Sequence, residues 1–184
     1  ARMLGYPISS ASPATCDLTI TLKNGAYAYP VTIPTGFKFK GPGDVIYEYR
    51  GAIDTIIPPG NTTAILAITE GQTKRTSFVS DGTENQFFNL LGISAGQYIY
   101  SDEFLVTVDG SEWTRQDLIK YENSNIYEIL FAENPPKLKF GDGIAGNIPP
   151  VSSQIVCIFR YGKGANGAIG KNQISGVVNQ LVIN

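Results

Sequence analysis

The stretch of the chain that is most informative about the fold is residues 17–33, DLTITLKNGAYAYPVTI. Apolar and polar residues alternate from Leu18 to Leu22, and this period of two is typical of a strand with one buried face. Asn24-Gly25 follows, a dipeptide that favours the positive φ angles of a type I′ turn. The sequence therefore predicts a β-hairpin whose returning strand runs through residues 26–31.

Similar short runs recur along the chain and are separated by turn-forming pairs such as Asp-Gly and Pro-Pro. Helix signals are weak and are confined to residues 1–6 and 115–121, while residues 84–91 are ambiguous. We therefore predict a mainly β fold of antiparallel, β-sandwich-like sheets with long loops and little helix. The further predicted strands are residues 45–49, 64–69, 104–108, 126–131, 155–161 (covered on both sides over its first half) and 177–183.

The domain organisation follows from length and from the spacing of these strands. A chain of 184 residues can form one large domain or a domain with an inserted lobe. Residues 76–136 carry their own set of strands, so we expect them to be a lobe inserted into a sheet formed by residues 1–75 and 137–184. Because the chain starts at Ala1 without an initiator Met or a leader, we expect it to be a β-rich fragment of a longer protein.

Charge and composition argue against several classes of partner. The chain has 14 Lys and Arg against 16 Asp and Glu, a net charge of −2, which argues against a nucleic-acid-binding protein. No apolar run approaches the roughly 20 residues that cross a membrane, so no membrane partner is expected. Charged residues are 16% of the chain, below the roughly 25% of an average protein, which favours a surface much of which is covered by something.

The chain has no histidine, which excludes Ser-His-Asp and Cys-His nucleophile systems and His-ligated zinc. Cys16 and Cys157 have no metal-ligand spacing, and both are predicted to be small buried apolar residues. The run from Gly164 to Lys171 lacks the spacing of a phosphate-binding loop. Asp142 is predicted to form a turn rather than a cation site, because calcium needs six to eight oxygen ligands. No cofactor or metal is expected.

A carbohydrate function has weaker support. Trp113 could help to build a sugar-stacking platform, although aromatic residues in β proteins more often lie in the core. A glycoside hydrolase needs two facing carboxylates about 5 to 10 Å apart, and nothing in the sequence singles out a pair. The candidate carboxylates are Glu103, Asp109, Glu112 and Asp117.

Several short motifs, most of them in turns, follow one another along the chain. The first are Leu4-Gly5-Tyr6-Pro7 with Ala11-Ser12-Pro13-Ala14, Ile33-Pro34-Thr35-Gly36, Asn85-Gln86-Phe87-Phe88-Asn89-Leu90, and Val106-Thr107-Val108-Asp109-Gly110 with Trp113-Thr114. The most specific block comes last and comprises Phe140, Gly141, Asp142, Gly143, Pro149, Pro150, Arg160, Tyr161 and Gly164. In this order the motifs resemble those of the baseplate J-like family, the wedge proteins of contractile phage tail baseplates. Two positions depart from the family pattern: Arg160-Tyr161 stands in reverse order, and Ala168-Ile169 replaces a common G-N-V.

The resemblance implies a structural, non-enzymatic role in the virion. Family members form sixfold baseplate rings that link the central hub to the tail fibres and trigger sheath contraction. By resemblance, the partners would be other wedge and hub proteins and a second copy within the ring. The site of assembly would be the host cytoplasm, and the motif residues would be structural. Two alternatives stay open: a tail-associated carbohydrate-binding or glycan-hydrolysing β module, and an adhesin-like β-sandwich.

Overall fold

The computed structural model of the chain describes residues 12–119 and 123–178. Within these residues the chain forms fourteen β-strands and short 3₁₀ turns, which confirms the prediction of a mainly β fold with little helix. The strands are β1 Thr15–Thr21, β2 Val31–Ile33, β3 Lys38–Lys40, β4 Ile46–Tyr49, β5 Thr55–Ile57, β6 Thr63–Glu70, β7 Gln72–Val79, β8 Phe87–Asn89, β9 Tyr98–Val108, β10 Ser111–Arg115, β11 Ile126–Leu130, β12 Lys137–Phe140, β13 Gln154–Gly162 and β14 Gly176–Val177.

The described chain divides into two compact units. The central unit is Lys74–Tyr161, and the flanking unit is formed by residues 12–73 and 162–178. The inserted lobe predicted from the sequence ends at residue 136. In the structure, β12 and most of β13 belong to the central unit, because both strands pair inside its sheet.

The flanking unit contains a five-stranded sheet in the order β1-β6-β4-β3-β14 and a two-stranded sheet of β2 and β5. Alternate residues of β3, β4 and β6 point to one face and form the core of this unit. Its largest fully buried side chains include Ile33, Tyr47, Leu66 and Ile68. The sequence predicted β4 from alternating aromatic and polar residues and β6 from a β-branched run between turns, whereas β3 was not predicted.

The predicted hairpin at residues 17–33 is wrong. β1 pairs antiparallel with β6 over all seven of its residues, and β2 pairs with β5 instead. The Asn24-Gly25 turn does form, with Gly25 at φ +80° and its N–H bonded to the carbonyl of Leu22. No return strand follows it, because Pro30 has no N–H to donate to a ladder and strand structure resumes only at Val31.

The central unit contains a seven-stranded sheet in the order β7-β13-β9-β10-β11-β12-β8. Asp109 and Gly110, both at positive φ, form the two-residue turn that joins β9 to β10. The sheets curl, as a half-barrel and a nearly closed barrel-like sheet. In the seven-stranded sheet the β9–β10, β11–β12 and β12–β8 pairs are antiparallel, and the β10–β11 pair is parallel. Aromatic and aliphatic side chains, among them Val106, Leu138 and Phe159, fill the core.

The other local predictions have mixed outcomes. β13 has buried residues on both faces over its first half, as predicted, and Cys157 is buried within it. Cys16 is exposed, against the prediction, because β1 lies at the edge of its sheet. Residues 84–91 contain strand β8. The predicted last strand begins within β14, and its remainder lies outside the described residues, as does the predicted helix end at residues 1–6.

The predicted helical turns at residues 115–121 are not seen in their described part: Arg115 ends β10, and residues 116–119 form no helix. The described part of the chain holds no helix with the length and apolarity to span a membrane.

Candidate functional site

The motif blocks that lie far apart in the sequence meet within the central unit. The N–H of Asn85 donates to the carbonyl of Gly141 at 3.0 Å, and the N–H of Phe140 donates to the carbonyl of Gln86 at 3.1 Å. These two bonds join the segment before β8 to the end of β12. We call residues 140–150, which continue from this junction, the motif loop.

A buried polar network fixes the far end of the motif loop. The hydroxyl of Ser80 donates to the carbonyl of Pro149 at 2.9 Å and accepts from Nε2 of Gln86 at 3.0 Å. The same Gln86 amide donates to the carbonyl of Thr83 at 3.0 Å. Ser80 and Gln86 are both buried, and hydrogen bonds between such groups are strong determinants of a single local geometry. Pro149 is buried beside them, whereas Pro150 is exposed and its carbonyl accepts from Ser153.

The first two residues of the loop are core positions. Phe140 is fully buried and makes an edge-to-face contact with the Trp113 ring at 5.2 Å between centroids. Trp113 is itself buried, so it is a core residue and not a sugar-stacking platform. Gly141 lies so close to the carbonyls of Ala145 and Gly146 that a Cβ atom would meet them at 2.3 and 2.2 Å. Only glycine fits there without a backbone shift.

Asp142 and Gly143 close the loop. The Asp142 carboxylate accepts hydrogen bonds from the N–H groups of Ile144 at 2.9 Å and Ala145 at 2.7 Å. These bonds hold the pKa of Asp142 below its usual range, with the Ala145 N–H as the largest cause. Gly143 has φ +88°, and its N–H donates to the carbonyl of Gly146. Asp142 is a turn former, as predicted.

Arg160 and Tyr161 are consecutive residues of β13. Arg160 is buried, and its Nη1 lies 3.0 Å from Oε1 of Glu103. Tyr161 is half-buried and packs against Phe159, and burial raises the pKa of its hydroxyl. Both side chains therefore support the sheet of the central unit.

Gly164 begins the 3₁₀ turn Gly164–Gly167 in the flanking unit, with φ +59°. The N–H of Lys163 donates to Oε1 of Glu70 at 2.7 Å, and Glu70 is 1% exposed. The hydroxyl of Tyr47 donates to the carbonyl of Gly167 at 2.7 Å. The glycine-rich segment is thus held against the sheet by a carboxylate, which is the opposite of a phosphate-binding arrangement.

The structure gives three of the four candidate acids a structural partner. Glu103 pairs with Arg160, the Asp109 carboxylate accepts from the N–H of Gln154 at 2.7 Å, and Asp117 pairs with Arg115 at 3.1 Å. Glu112 lies on β10 with its side chain exposed.

Thiol and metal chemistry have little support in the described residues. Burial raises the pKa of Cys157 to about 12, so this thiol stays protonated at neutral pH. Across residues 12–119 and 123–178, no group of three Cys, Asp or Glu side chains is arranged to hold a metal ion.

Comparison with known protein families and with curated proteins finds no match to this chain. The function is therefore argued from the residues and their geometry.

Sequence reasoning missed two of the residues that organise these loops. Ser80 lies at a strand end without any distinguishing neighbour, and Glu70 ends an apolar strand where a polar residue reads as solvent-exposed. Gln86 belongs to the motif Asn85–Leu90. The motif therefore pointed to this residue, but it did not indicate its hydrogen bonds.

Proposed function

We propose that this chain is a structural subunit of the wedge ring in a contractile phage tail baseplate. It assembles by contacts with other wedge and hub proteins and with a second copy of itself, and it transmits the contraction trigger without catalysing a reaction. The proposed location is the tail baseplate of the virion, after assembly in the host cytoplasm.

The proposal rests on the structural roles of the motif residues that resemble those of the baseplate J-like family. Phe140 is a core residue, Gly141 has no room for a side chain, and Asp142 caps the loop. These three positions are explained by the need to build one rigid loop. Residues used in this way to shape a loop support a role in assembly.

The motif loop also presents apolar side chains to its surroundings. Ile144, whose N–H is held by Asp142, is 70% exposed, and Val151 directly after the loop is 68% exposed. Phe87, next to the Gln86 network, is about half exposed. Apolar side chains held on rigid backbone lose little entropy on binding, so they suit the anchor positions of a protein interface.

The copy number of the chain in intact particles tests the proposal. Tails purified from the source lysate would be digested, and the chain quantified by peptide mass spectrometry against the tail-tube protein. Six or twelve copies per particle are expected for a wedge subunit. Three copies would place the chain at a hub or spike, and absence from the particle would overturn the proposal and favour the glycan module.

The exposed apolar residues of the motif loop provide a second test. Ile144→Ser and Val151→Ser are expected to reduce incorporation into tails by at least about tenfold, since anchor residues dominate interface energies. Glu84→Gln, an exposed polar change near the same loop, is the matched control. Thermal unfolding of the purified variants should stay close to that of the parent chain, and normal assembly of both serine variants would contradict the proposed role of the loop.

A further inference from the structure

Strand β1 is the longest edge of the flanking unit's five-stranded sheet. It pairs with β6 along its whole length, from Thr15 opposite Thr69 to Thr21 opposite Thr63. Among the described strands, β1 has a neighbour on this side only, and the opposite edge of the sheet is the two-residue strand β14. One side of this seven-residue strand therefore has no partner among the described strands.

The hydrogen bonds at the two ends of β1 show which backbone groups point outward. The N–H of Glu70 donates to the carbonyl of Ala14, and the N–H of Leu22 donates to the carbonyl of Thr62. In an antiparallel pair the residues that bond the neighbour alternate with those that do not. Even-numbered residues of β1 thus bond β6, and the N–H and C=O groups of the odd-numbered residues point to the free edge. These residues are Thr15, Asp17, Thr19 and Thr21.

The apolar face of the sheet is incompletely covered at this edge. Leu66 and Ile68 of β6 are 1% exposed, whereas their neighbours on β1 are not fully buried. Leu18, opposite Leu66, is half-buried, and Cys16, opposite Ile68, is exposed. A further strand beside β1 would cover these side chains and satisfy the outward backbone groups.

The strand has little of what normally protects a sheet edge. Natural edges are blocked by charged side chains, above all lysine, or by proline, bulges or short length. β1 has seven residues without Lys or Pro, its register with β6 is unbroken, and Asp17 is its only charge. Pairing with another strand is therefore not opposed by the strand itself.

We propose that β1 is the self-association edge of this protein and pairs antiparallel with β1 of a second copy across a two-fold axis at Leu18. Outward-pointing residues must face each other, so each odd-numbered residue of one β1 strand pairs with an odd-numbered residue of the other. The register with the two-fold axis at Leu18 pairs all seven residues and places Asp17 opposite Thr19 of the partner subunit. The register with the two-fold axis at Asp17 would pair fewer residues and bring the two Asp17 carboxylates face to face, which is unfavourable.

In this register the two sheets become one continuous sheet of ten strands. Leu18 meets Leu18 of the partner subunit on the apolar face, and Cys16 meets Ile20 of the partner subunit. The inference deepens the proposed function, since it names the surface through which two wedge subunits would pair. A single pair of strands buries less area than the roughly 1,600 Å² of a standard interface, so a concentration-dependent dimer is expected.

Disulfide cross-linking tests the register. Cys16 and residue 20 of the partner subunit would form a non-hydrogen-bonded pair, whose Cα separation of about 4.5 Å suits a disulfide. Under oxidised glutathione, the 184-residue chain carrying Ile20→Cys is expected to form a covalent dimer. The parent chain and the double variant Cys16→Ser, Ile20→Cys are expected to stay unlinked. A cross-link that survives the loss of Cys16, or none in Ile20→Cys, would overturn this register.

Charge exchange at position 19 tests the same pairing by an independent route. Thr19 is exposed, so its substitution leaves the β6 ladder intact. Thr19→Asp places like charges opposite each other twice per dimer and is expected to raise the dissociation constant by roughly 2-fold to 30-fold, while Thr19→Lys is expected to lower it. Sedimentation velocity from low to high concentration measures both. Equal effects of the two variants would contradict the proposal.

A chain that sediments as a 19.9 kDa monomer at every concentration would also overturn the proposal, and would mean that the edge is covered by some other segment or partner. These measurements use the purified chain without particles. A failure here therefore leaves the copy-number test of the wedge function unaffected, and absence of the chain from tails would not alter its self-association.

Discussion

At the scale of single residues, the motif loop depends on contacts at a few atoms. Gly141 is packed against two backbone carbonyls, Asp142 holds two N–H groups, and Ser80 joins the loop to Gln86. Backbone atoms cannot move aside as a flexible side chain can, so the loop tolerates little change at these positions.

Gly141→Ala is expected to destabilise the protein by about 2–3 kcal/mol, because the added methyl group overlaps backbone atoms of Ala145 and Gly146. Gly176→Ala is the matched control, since a Cβ atom there meets nothing within 4 Å. Urea denaturation of both variants measures the difference. Equal stability of the two would show that the loop has more room than its geometry indicates.

Asp142→Asn is expected to lower the melting temperature at pH 7. The difference in melting temperature between this variant and the parent chain, here called the gap, should become smaller as the pH falls. The folded-state pKa of Asp142 is below its usual value, so the carboxylate stabilises the fold above the unfolded pKa of about 4. That stabilisation is lost as the pH falls through the lower folded pKa. Thermal unfolding at pH 7 and pH 3 measures the gap.

The control for this pH experiment is Asp117→Asn, which removes an exposed ion pair with Arg115 and should change the melting temperature little. A gap for Asp142→Asn that widened on acidification would contradict the role assigned to its charge.

At the scale of elements, strand pairing and loop anchoring depend on partners that are distant in sequence. β1 pairs with β6 and not with the segment after Asn24-Gly25, and the loop after β13 is anchored by Glu70. The free energy of closing a loop rises only slowly with its length. A distant strand that buries more apolar surface, such as β6, can therefore pair with β1 in place of a nearby segment.

Glu70→Ala is expected to speed hydrogen exchange at the Lys163 amide by about 10-fold to 100-fold, because that N–H loses its buried acceptor. Glu70→Gln is the matched control: its amide oxygen can still accept, so the increase should be smaller. Exchange measured residue by residue by NMR checks both. A larger effect for glutamine than for alanine would contradict the role of Glu70 as an acceptor.

At the scale of the whole molecule, each unit has its own apolar core. Leu138 is fully buried in the central unit, and Leu66 is fully buried in the flanking unit. Two cores in one chain allow local opening in one unit to be measured separately from the other.

Leu138→Ala and Leu66→Ala form a matched pair, and each is expected to cost about 3–5 kcal/mol of stability through the cavity it leaves. Hydrogen exchange by mass spectrometry should show the larger increase in peptides of the central unit for Leu138→Ala and of the flanking unit for Leu66→Ala. The same exchange pattern for both variants would contradict two separate cores.

The sequence by itself determined the fold class and the positions of several strands. Alternating aromatic and polar residues predicted β4, runs of β-branched and aromatic residues between turns predicted β6 and β11, and an apolar run covered on both faces predicted β13, all of them closely. The turn residues were equally readable, because Gly25, Gly110 and Gly143 adopt the positive φ that their neighbours suggested.

Only the tertiary structure decided the pairing of β1, the exposure of Cys16, and the meeting of Ser80 and Gln86 with the motif loop. The physical reason is that burial patterns specify the face of a strand but not its neighbour. Pairing depends on the summed contacts of distant segments and on the backbone groups left to satisfy, and neither is a property of any local window of the chain.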